Sequence, residues 1–158
     1  AGELIVSGSH VARRYFQDPT ATAENKIVES NGTVWHRMGD TGYVDAAGNV
    51  WLVGRVHSTI ERNNTMVHPQ LVEQAAAGSE ASLRIAAVGL PDEKLGQRVV
   101  VVVEATSGGD ILARVRRRIE HVGLPVDDVL LAESRLPLDP RHRSKIDYSA
   151  LRQSLLNS

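Results

Sequence analysis

The amino-acid sequence predicts an α+β fold in two parts, and three observations carry that prediction. Strand and turn signals dominate up to Gly54, whereas strand and helix signals are mixed from Arg55 onward. Five consecutive valines, Val99 to Val103, are typical of a buried central strand. The segment Asp110 to Val122 repeats apolar residues at helical spacing. The second part is therefore predicted to be a small domain in which helices cover a short sheet.

In the first part, the elements are short and punctuated by turns. Leu4 to Val6 is a strand candidate, and Asp18-Pro19-Thr20 favours a turn or a helix start. The run Asp45 to Asn49 is typical of a hairpin turn between Tyr43-Val44 and Val50 to Val53. This part is expected to be the end of a β-subdomain.

In the second part, strands alternate with helices. Strands are predicted around Thr59 to Arg62 and at Ile85 to Val88, and Pro69 is expected to open a helix. A last helix is predicted to start near Asp147. Its apolar stripe consists of Tyr148, Leu151 and Leu155.

The helix with the clearest limits is Asp110 to Val122. Asp110 is predicted to cap its start, Gly123 lies just past its end, and Pro125 blocks continuation. Its apolar side consists of Ile111, Leu112, Val115, Ile119 and Val122. Four arginines are expected to face solvent: Arg114, Arg116, Arg117 and Arg118.

Composition excludes several classes of function. The chain has 158 residues, a net charge of -1 and no cysteine, which excludes disulfides, cysteine-ligated zinc and a thiol nucleophile. The balanced charge disfavours nucleic acid as a partner, and the six histidines lack the short paired spacings of zinc sites. No signal peptide or membrane span is predicted, so the cytoplasm is the expected location. The chain begins without methionine and soon enters an apolar segment, which indicates a piece of a larger protein.

Two segments contain residues with chemical potential. Lys145 is one of only three lysines and lies in a polar, turn-rich stretch, where it can bring a positive charge to a phosphate or carboxylate. Asp40 stands between Gly39 and Gly42, where its carboxylate can accept hydrogen bonds from a sugar. Taken alone, Lys145 fits a solvated surface lysine, and Asp40 beside glycine fits ordinary turn chemistry.

Six segments, taken in chain order, carry patterns that occur together in one protein family. They are Gly2 to Gly8 (GEL-V-G), Tyr15 to Thr22 (GY-x-x-x-P-x-x-T), Trp35 to Asp45 (W-x-R-T-G-D-x-G-x-x-D), Gly48 to Arg55 (G-x-x-x-x-x-G-R), Ala86 to Gly96 (A-V-V-G-x-P-D-x-x-x-G) and Ser144 to Leu151 (G-K-I-D-R-x-x-L). In this order and spacing, they resemble the last third of the adenylate-forming superfamily of acyl-CoA synthetases, peptide-synthetase adenylation domains and luciferases.

The resemblance implies a fold and a division of the chain. Residues 1–54 correspond to the C-terminal end of a large N-terminal domain, and residues 55–158 correspond to the small mobile C-terminal lid. In this family, the lid rotates about a hinge between adenylation and a second half-reaction. The hinge position falls at His57.

The resemblance also implies an activity and three site residues. The parent would activate a carboxylic acid, fatty or β-hydroxy fatty, with ATP and Mg²⁺ to form acyl-AMP. Asp40 would accept hydrogen bonds from the ribose hydroxyls, and Arg55 would donate to the ribose or phosphate region. Lys145 would bridge the substrate carboxylate and the α-phosphate, where it offsets the charge of two anions brought together.

Two departures from the family pattern affect the second step. The hinge motif G-R-x-D-D-x-x-K is replaced by Gly54 to Glu61, which lacks both aspartates and the lysine. The following motif, G-x-R/Y-I-x-P-x-E-I-E, is reduced to Asn64 to Glu73. That glycine-bearing loop helps line the pantetheine channel in thioester-forming members, so CoA is a doubtful cofactor; simple drift remains the alternative.

One subgroup combines several of these features. Trp35 to Asp40, the hinge without aspartate, and Asp139 to Ile146 with its R-H-x-x-K-I pattern look similar to β-lactone synthetases of olefin biosynthesis. Those enzymes adenylate a β-hydroxy fatty acid and close it into a β-lactone. An ordinary acyl-CoA synthetase is the alternative.

Parts of the family's site have no counterpart in this chain. Ser107 to Asp110 has no lysine beside it and does not form the phosphate-gripping loop. The acyl pocket and the adenine-binding motif lie upstream in the family. The chain is therefore expected to need the missing N-terminal domain as its partner and to be inactive alone. A non-catalytic, stand-alone lid-like binding module is the competing hypothesis.

Overall fold

The computed structural model describes residues 1–80, 82–105, 109–140 and 145–157. The chain divides into two compact units, Ala1–His57 and Ser58–Ser158. This division falls three residues after the predicted boundary at 54/55.

The first unit is an antiparallel sheet with one short helix. Asp18 caps that helix, because its Oδ1 accepts a hydrogen bond from the N–H of Ala21 at 2.8 Å. The predicted strand at Leu4 to Val6 and the predicted hairpin are confirmed. The elements are β1 (Gly2–Ser7), α1 (Pro19–Asn25), β2 (Lys26–Val28), β3 (Val34–Val44) and β4 (Val50–Arg55).

The long strand β3 organises this sheet. It pairs antiparallel with β1, with β2 and with β4. Between β3 and β4, Asp45 accepts hydrogen bonds from the backbone N–H groups of Ala47 and Asn49 and from the indole N–H of Trp51, all at 2.8 or 2.9 Å. These bonds hold the pKa of Asp45 at about 2, chiefly through Trp51 and Asn49.

The second unit is a mixed sheet covered by helices on both faces. A one-turn 3₁₀ helix, Val56–Ser58, spans the division between the two units. The sheet follows the order β6-β5-β8-β7, and β9 runs parallel to β8. The elements are β5 (Ile60–Arg62), β6 (Thr65–Val67), α2 (Pro69–Ala77), β7 (Arg84–Asp92), β8 (Gly96–Glu104), α3 (Gly109–His121), β9 (Asp128–Leu131) and α4 (Tyr148–Leu156).

The valine run lies in β8, as predicted, and every residue from Val99 to Val103 is buried. Alternate valines face opposite sides of the sheet, because successive side chains of a strand point to opposite faces. One face packs with α2 and α3 through Val72, Ala76, Val115 and Ile119. The other face packs with Leu136 and with Leu151 of α4.

Two details of α3 differ from the prediction. The helix begins at Gly109, so Asp110 lies inside the first turn, where it forms an ion pair with Arg114 at 3.6 Å instead of capping the start. The helix ends at His121, and Val122 is 57% exposed. Gly123 does follow the end as predicted, with a left-handed φ of 73°.

The arginines of α3 do not all face solvent. The prediction is right for Arg117, whereas Arg114, Arg116 and Arg118 are only partly exposed and bond to other elements of the second unit. Arg118 donates to the carbonyls of Ala76 and Ala77 at the end of α2 and to Glu80. The last carbonyl groups of a helix have no hydrogen-bond donor within the helix, and Arg118 supplies donors to two of them. Arg118 therefore links the end of α2 to α3.

Candidate functional site

Asp40 and Arg55 form a pair across neighbouring strands of the first unit. Asp40 lies in β3 directly opposite Arg55, the last residue of β4. The Arg55 Nη1 donates to Asp40 Oδ1 at 2.5 Å, while the side chains are 57% (Arg55) and 21% (Asp40) exposed. The structure thus brings these two predicted residues together at an accessible edge of the hairpin.

The backbone around Asp40 explains why glycine precedes it. Gly39 has a φ of 70°, which side-chain-bearing residues rarely adopt, and the pairing of β1 with β3 shifts register at this point. A Cβ added at Gly42 would lie 2.5 Å from the carbonyl oxygen of Trp51. Both glycines are therefore required by the backbone that presents Asp40.

The Asp40 carboxylate is chemically suited to a ribose. A carboxylate has about four acceptor positions. Arg55 occupies Oδ1, so acceptor capacity remains for two hydroxyl donors. A guanidinium next to that carboxylate offers further N–H donors to an anionic phosphate.

Lys145 lies in the second unit and is exposed. Its backbone is fixed even though its side chain reaches into solvent, because its carbonyl accepts a hydrogen bond from the N–H of Asp139 at 2.9 Å. An isolated bridge joins Leu138 to Ile146, and the N–H of Asp147 donates to the carbonyl of Pro137 at 2.9 Å. Residues 141–144, which contain part of the predicted R-H-x-x-K-I pattern, lie outside the described residues.

His57, the predicted hinge residue, is exposed and belongs to the one-turn helix Val56–Ser58. It is the last residue of the first compact unit.

The loop that departs from the family's glycine motif is a tight hairpin. Asn63 and Asn64 join β5 to β6 and have left-handed φ values of 49° and 57°. Asparagine tolerates this conformation better than most residues that carry a side chain. The turn therefore keeps a backbone that glycine would favour. The Asn-Asn pair, a turn signal between two short segments that contain β-branched residues, could have predicted β6, which we did not predict.

Glu73 and Tyr148 are polar residues that sequence reasoning missed as a pair. Glu73 Oε1 accepts a hydrogen bond from the Tyr148 hydroxyl at 2.9 Å and a second from the N–H of Ala87 at 2.9 Å. Burial raises the pKa of Glu73 and also that of Tyr148. The two residues are 75 positions apart in sequence, so no local pattern indicates the contact.

Within the described ranges, no group of three or more histidine, aspartate or glutamate side chains converges on a point that would hold a metal ion. In the same residues, no helix has both the length and the apolar character required to cross a bilayer.

Comparison with known proteins identifies relatives, although no family model matches the chain. A 4-chlorobenzoate–CoA ligase of an Arthrobacter species is 42% identical over 118 residues, which span 72% of this chain and 22% of that protein. An olefin beta-lactone synthetase of Stenotrophomonas maltophilia is 32% identical over 163 residues, spanning 95% of this chain and 29% of that protein. The chain thus spans about a quarter of the length of the curated relatives it matches.

Solved structures share the fold over nearly the whole chain. The amide bond synthetase McbA of Marinactinospora thermotolerans matches with a TM-score of 0.71 and 28% identity, covering 98% of this chain and 30% of that protein. The ATP-bound MatB of Rhodopseudomonas palustris matches with a TM-score of 0.69, covering 98% of this chain and 31% of that protein; at 21% identity, this match shows the fold alone. Together with the relatives, these matches show that the chain belongs to the acyl-CoA ligases and related adenylate-forming enzymes, as a C-terminal segment with an α+β domain.

Proposed function

We propose that this chain is the C-terminal part of an AMP-forming ligase that activates a carboxylic acid with ATP to give acyl-AMP. The observation that carries the proposal is the Asp40–Arg55 pair, which combines an accessible carboxylate and a guanidinium on adjacent strands. The relatives named as CoA ligases and as a β-lactone synthetase support the same class of chemistry.

In this proposal, Asp40 and Arg55 hold the nucleotide. Asp40 accepts hydrogen bonds from the ribose hydroxyls through the acceptor positions that Arg55 leaves open. Arg55 donates to the ribose or phosphate region and keeps Asp40 in place. ATP would bind with Mg²⁺, an ion that proteins usually hold through one or two carboxylates together with the phosphates of the nucleotide.

Lys145 is the proposed catalytic residue. When the substrate carboxylate attacks the α-phosphate, two anions approach each other and negative charge accumulates between them. An ammonium group placed there lowers the barrier by electrostatic stabilisation. The exposed side chain on a hydrogen-bonded backbone supports this role, because the charge is free to reach a ligand while its base is held.

Ser58–Ser158 is proposed to act as the mobile lid, and His57 to act as the hinge. A residue at the boundary of two compact units, in a single 3₁₀ turn, can absorb the φ/ψ changes of a domain rotation. The rotation would deliver Lys145 for adenylation and withdraw it for the second step.

The second step is either transfer to CoA or closure of a β-lactone. The CoA ligase relative supports the first and the β-lactone synthetase relative supports the second. Fatty and β-hydroxy fatty acids are the proposed substrates. The whole parent protein is required, and the chain of residues 1–158 is expected to be inactive alone.

The test is to incubate the parent enzyme with ATP, Mg²⁺ and a panel of fatty and β-hydroxy fatty acids, with and without CoA. Mass spectrometry should detect acyl-AMP in both cases, and the product then distinguishes an acyl-CoA from a β-lactone. If the parent forms no acyl-AMP with any acid, the ligase proposal fails and a non-catalytic binding module replaces it. Pyrophosphate exchange by residues 1–158 alone would contradict the predicted inactivity.

A further inference from the structure

Glu73 is a partly buried carboxylate at the edge of the second sheet, and the proposed reaction does not use it. It lies in α2, which packs on one face of the sheet, and its Oε1 accepts the N–H of Ala87 in β7. β7 is the last strand of the path β6-β5-β8-β7, so this N–H points away from the sheet's other strands. Glu73 therefore satisfies a donor of the edge strand.

The same oxygen accepts the hydroxyl of Tyr148, the first residue of α4. Because α4 packs on the opposite face of the sheet, the Glu73–Tyr148 bond joins the two helical layers around the edge of β7. No ion pair to Glu73 occurs among the residues that the structure describes. Burying part of a carboxylate without an opposite charge costs free energy, and the two hydrogen bonds to Oε1 offset part of that cost.

Tyr148 lies three residues after Lys145 and starts the helix that follows it. The intervening Asp147 caps α4 by accepting the N–H of Ala150, and its own N–H donates to the carbonyl of Pro137. The Lys145 carbonyl accepts from Asp139 in the same short ladder. On the other side of the ladder, the N–H of Leu136 donates to Glu104. The Lys145 backbone is thus held between an anchor at Leu136 and an anchor at Tyr148.

We propose that the Glu73–Tyr148 hydrogen bond is a positioning contact, which holds the Lys145 backbone in place for adenylation through the short ladder that joins 137–139 to 145–147. This inference rests on the proposed role of Lys145. A lysine has a long flexible stem, so its charge reaches a defined point only if its backbone is held there. Tyr148 and Glu73 act through Lys145 and do not touch the substrate themselves.

The test begins with Tyr148→Phe in the parent enzyme, which removes the hydroxyl and keeps the apolar ring. We expect kcat for ATP–pyrophosphate exchange to fall about ten- to a hundred-fold, because the Lys145 ammonium is no longer held at the point where negative charge accumulates. KM for ATP should change less than about two-fold, because nucleotide binding does not depend on this position. Glu73→Gln keeps an acceptor oxygen and should retain nearly the full rate, whereas Glu73→Leu should behave like Tyr148→Phe. Tyr43→Phe is the matched control, because Tyr43 is exposed and stacks on Trp51 through its ring.

Two readouts separate positioning from general stability. In the Lys145→Ala background, Tyr148→Phe should cause no further loss, since residues that act through one group are not additive. Hydrogen exchange of the Asp139 and Asp147 amides should accelerate at least about ten-fold in Tyr148→Phe, while amides of the β8 core remain protected. This second measurement does not depend on activity, so it stands even if the parent proves not to be a ligase.

Three results would overturn the inference: full exchange activity in Tyr148→Phe, an equal loss in the presence and absence of Lys145, or unchanged amide exchange at Asp139 and Asp147. If the wild-type parent is inactive but amide exchange at Asp139 and Asp147 is accelerated in Tyr148→Phe, the ligase proposal is refuted. The structural role of the Glu73–Tyr148 bond is then retained. Full exchange activity in both the wild type and the Tyr148→Phe variant would support the ligase proposal and refute the positioning role of Tyr148.

Discussion

The two compact units differ in how far their apolar strand residues are exposed to solvent. In the first unit, Val28, Val44, Val50 and Leu52 are 61% to 64% exposed on the strands of an open sheet. In the second unit, the valines of β8 are at most 2% exposed and lie between helices on both faces. A sequence that forms strands therefore does not by itself provide a hydrophobic core. In the second unit, helices bury the apolar faces of the sheet, whereas apolar side chains of the first sheet stay exposed.

The contrast in burial between the two units is tested most directly by producing each unit separately and measuring its unfolding. Residues 58–158 alone should unfold in one cooperative urea transition, because both faces of the sheet are packed. Residues 1–57 alone should show no cooperative transition, because too little apolar surface is buried to offset chain entropy. Circular dichroism and amide NMR dispersion measure both. A well-dispersed spectrum for residues 1–57 would contradict the contrast.

The next largest effect concerns the site residue of the open unit. In the parent enzyme, Asp40→Ala should raise KM for ATP about ten- to a hundred-fold, because it removes the proposed hydrogen bonds to the ribose and the charge-assisted bond from Arg55. Asp45→Asn is the control, since Asp45 serves the hairpin turn five residues away and is expected to leave KM unchanged. Equal KM values for the two variants would refute nucleotide binding by Asp40.

A smaller effect tests the closed core of the second unit. Val115→Ala should lower the free energy of unfolding by about 1.5–3 kcal/mol, because Val115 is fully buried and its removed methyl groups leave a cavity. Val122→Ala, seven residues along the same chain and 57% exposed, should change it by less than about 0.5 kcal/mol. Urea titration measures both, and equal losses would mean that this face of α3 is not packed as described.

The smallest effect is the acid response of the hairpin in the first unit. Hydrogen bonds lower the pKa of Asp45 from its ordinary 3.8 to about 2. A lowered carboxyl pKa stabilises the fold above the unfolded-state pKa, and this stabilisation is lost as pH falls from about 4 through 2. The indole N–H resonance of Trp51, observed in a Trp35→Phe background, should titrate with a midpoint near 2. A midpoint near 3.8 would show that the Asp45–Trp51 bond is not maintained.

The sequence predicted elements whose causes are local or periodic. The valine run, the hairpin at Asp45 to Asn49 and the stop at Gly123 were all predicted, because each follows from a short pattern of residue types. The family resemblance indicated Asp40 and Arg55 as separate nucleotide-binding residues. Their pairing comes from the structure, because the register that joins β3 to β4 is not readable from either strand alone.

What the sequence did not predict depends on partners distant in the chain. Arg118 is a solvent-facing residue by helical periodicity, yet it binds the carbonyls at the end of α2. Glu73 and Tyr148 meet only because α2 and α4 reach the same edge strand from opposite faces. Such contacts depend on the tertiary fold, and no local sequence pattern indicates them.

The most direct measurement is ATP–pyrophosphate exchange by the parent enzyme with Lys145→Ala, compared with Lys94→Ala. Lys94 lies in the turn between β7 and β8 and serves as the matched lysine control. Loss of the charge at Lys145 should reduce exchange by roughly 10²–10³-fold or more, while Lys94→Ala keeps the wild-type rate. Full exchange by Lys145→Ala would contradict the assignment of Lys145 as the residue that carries adenylation.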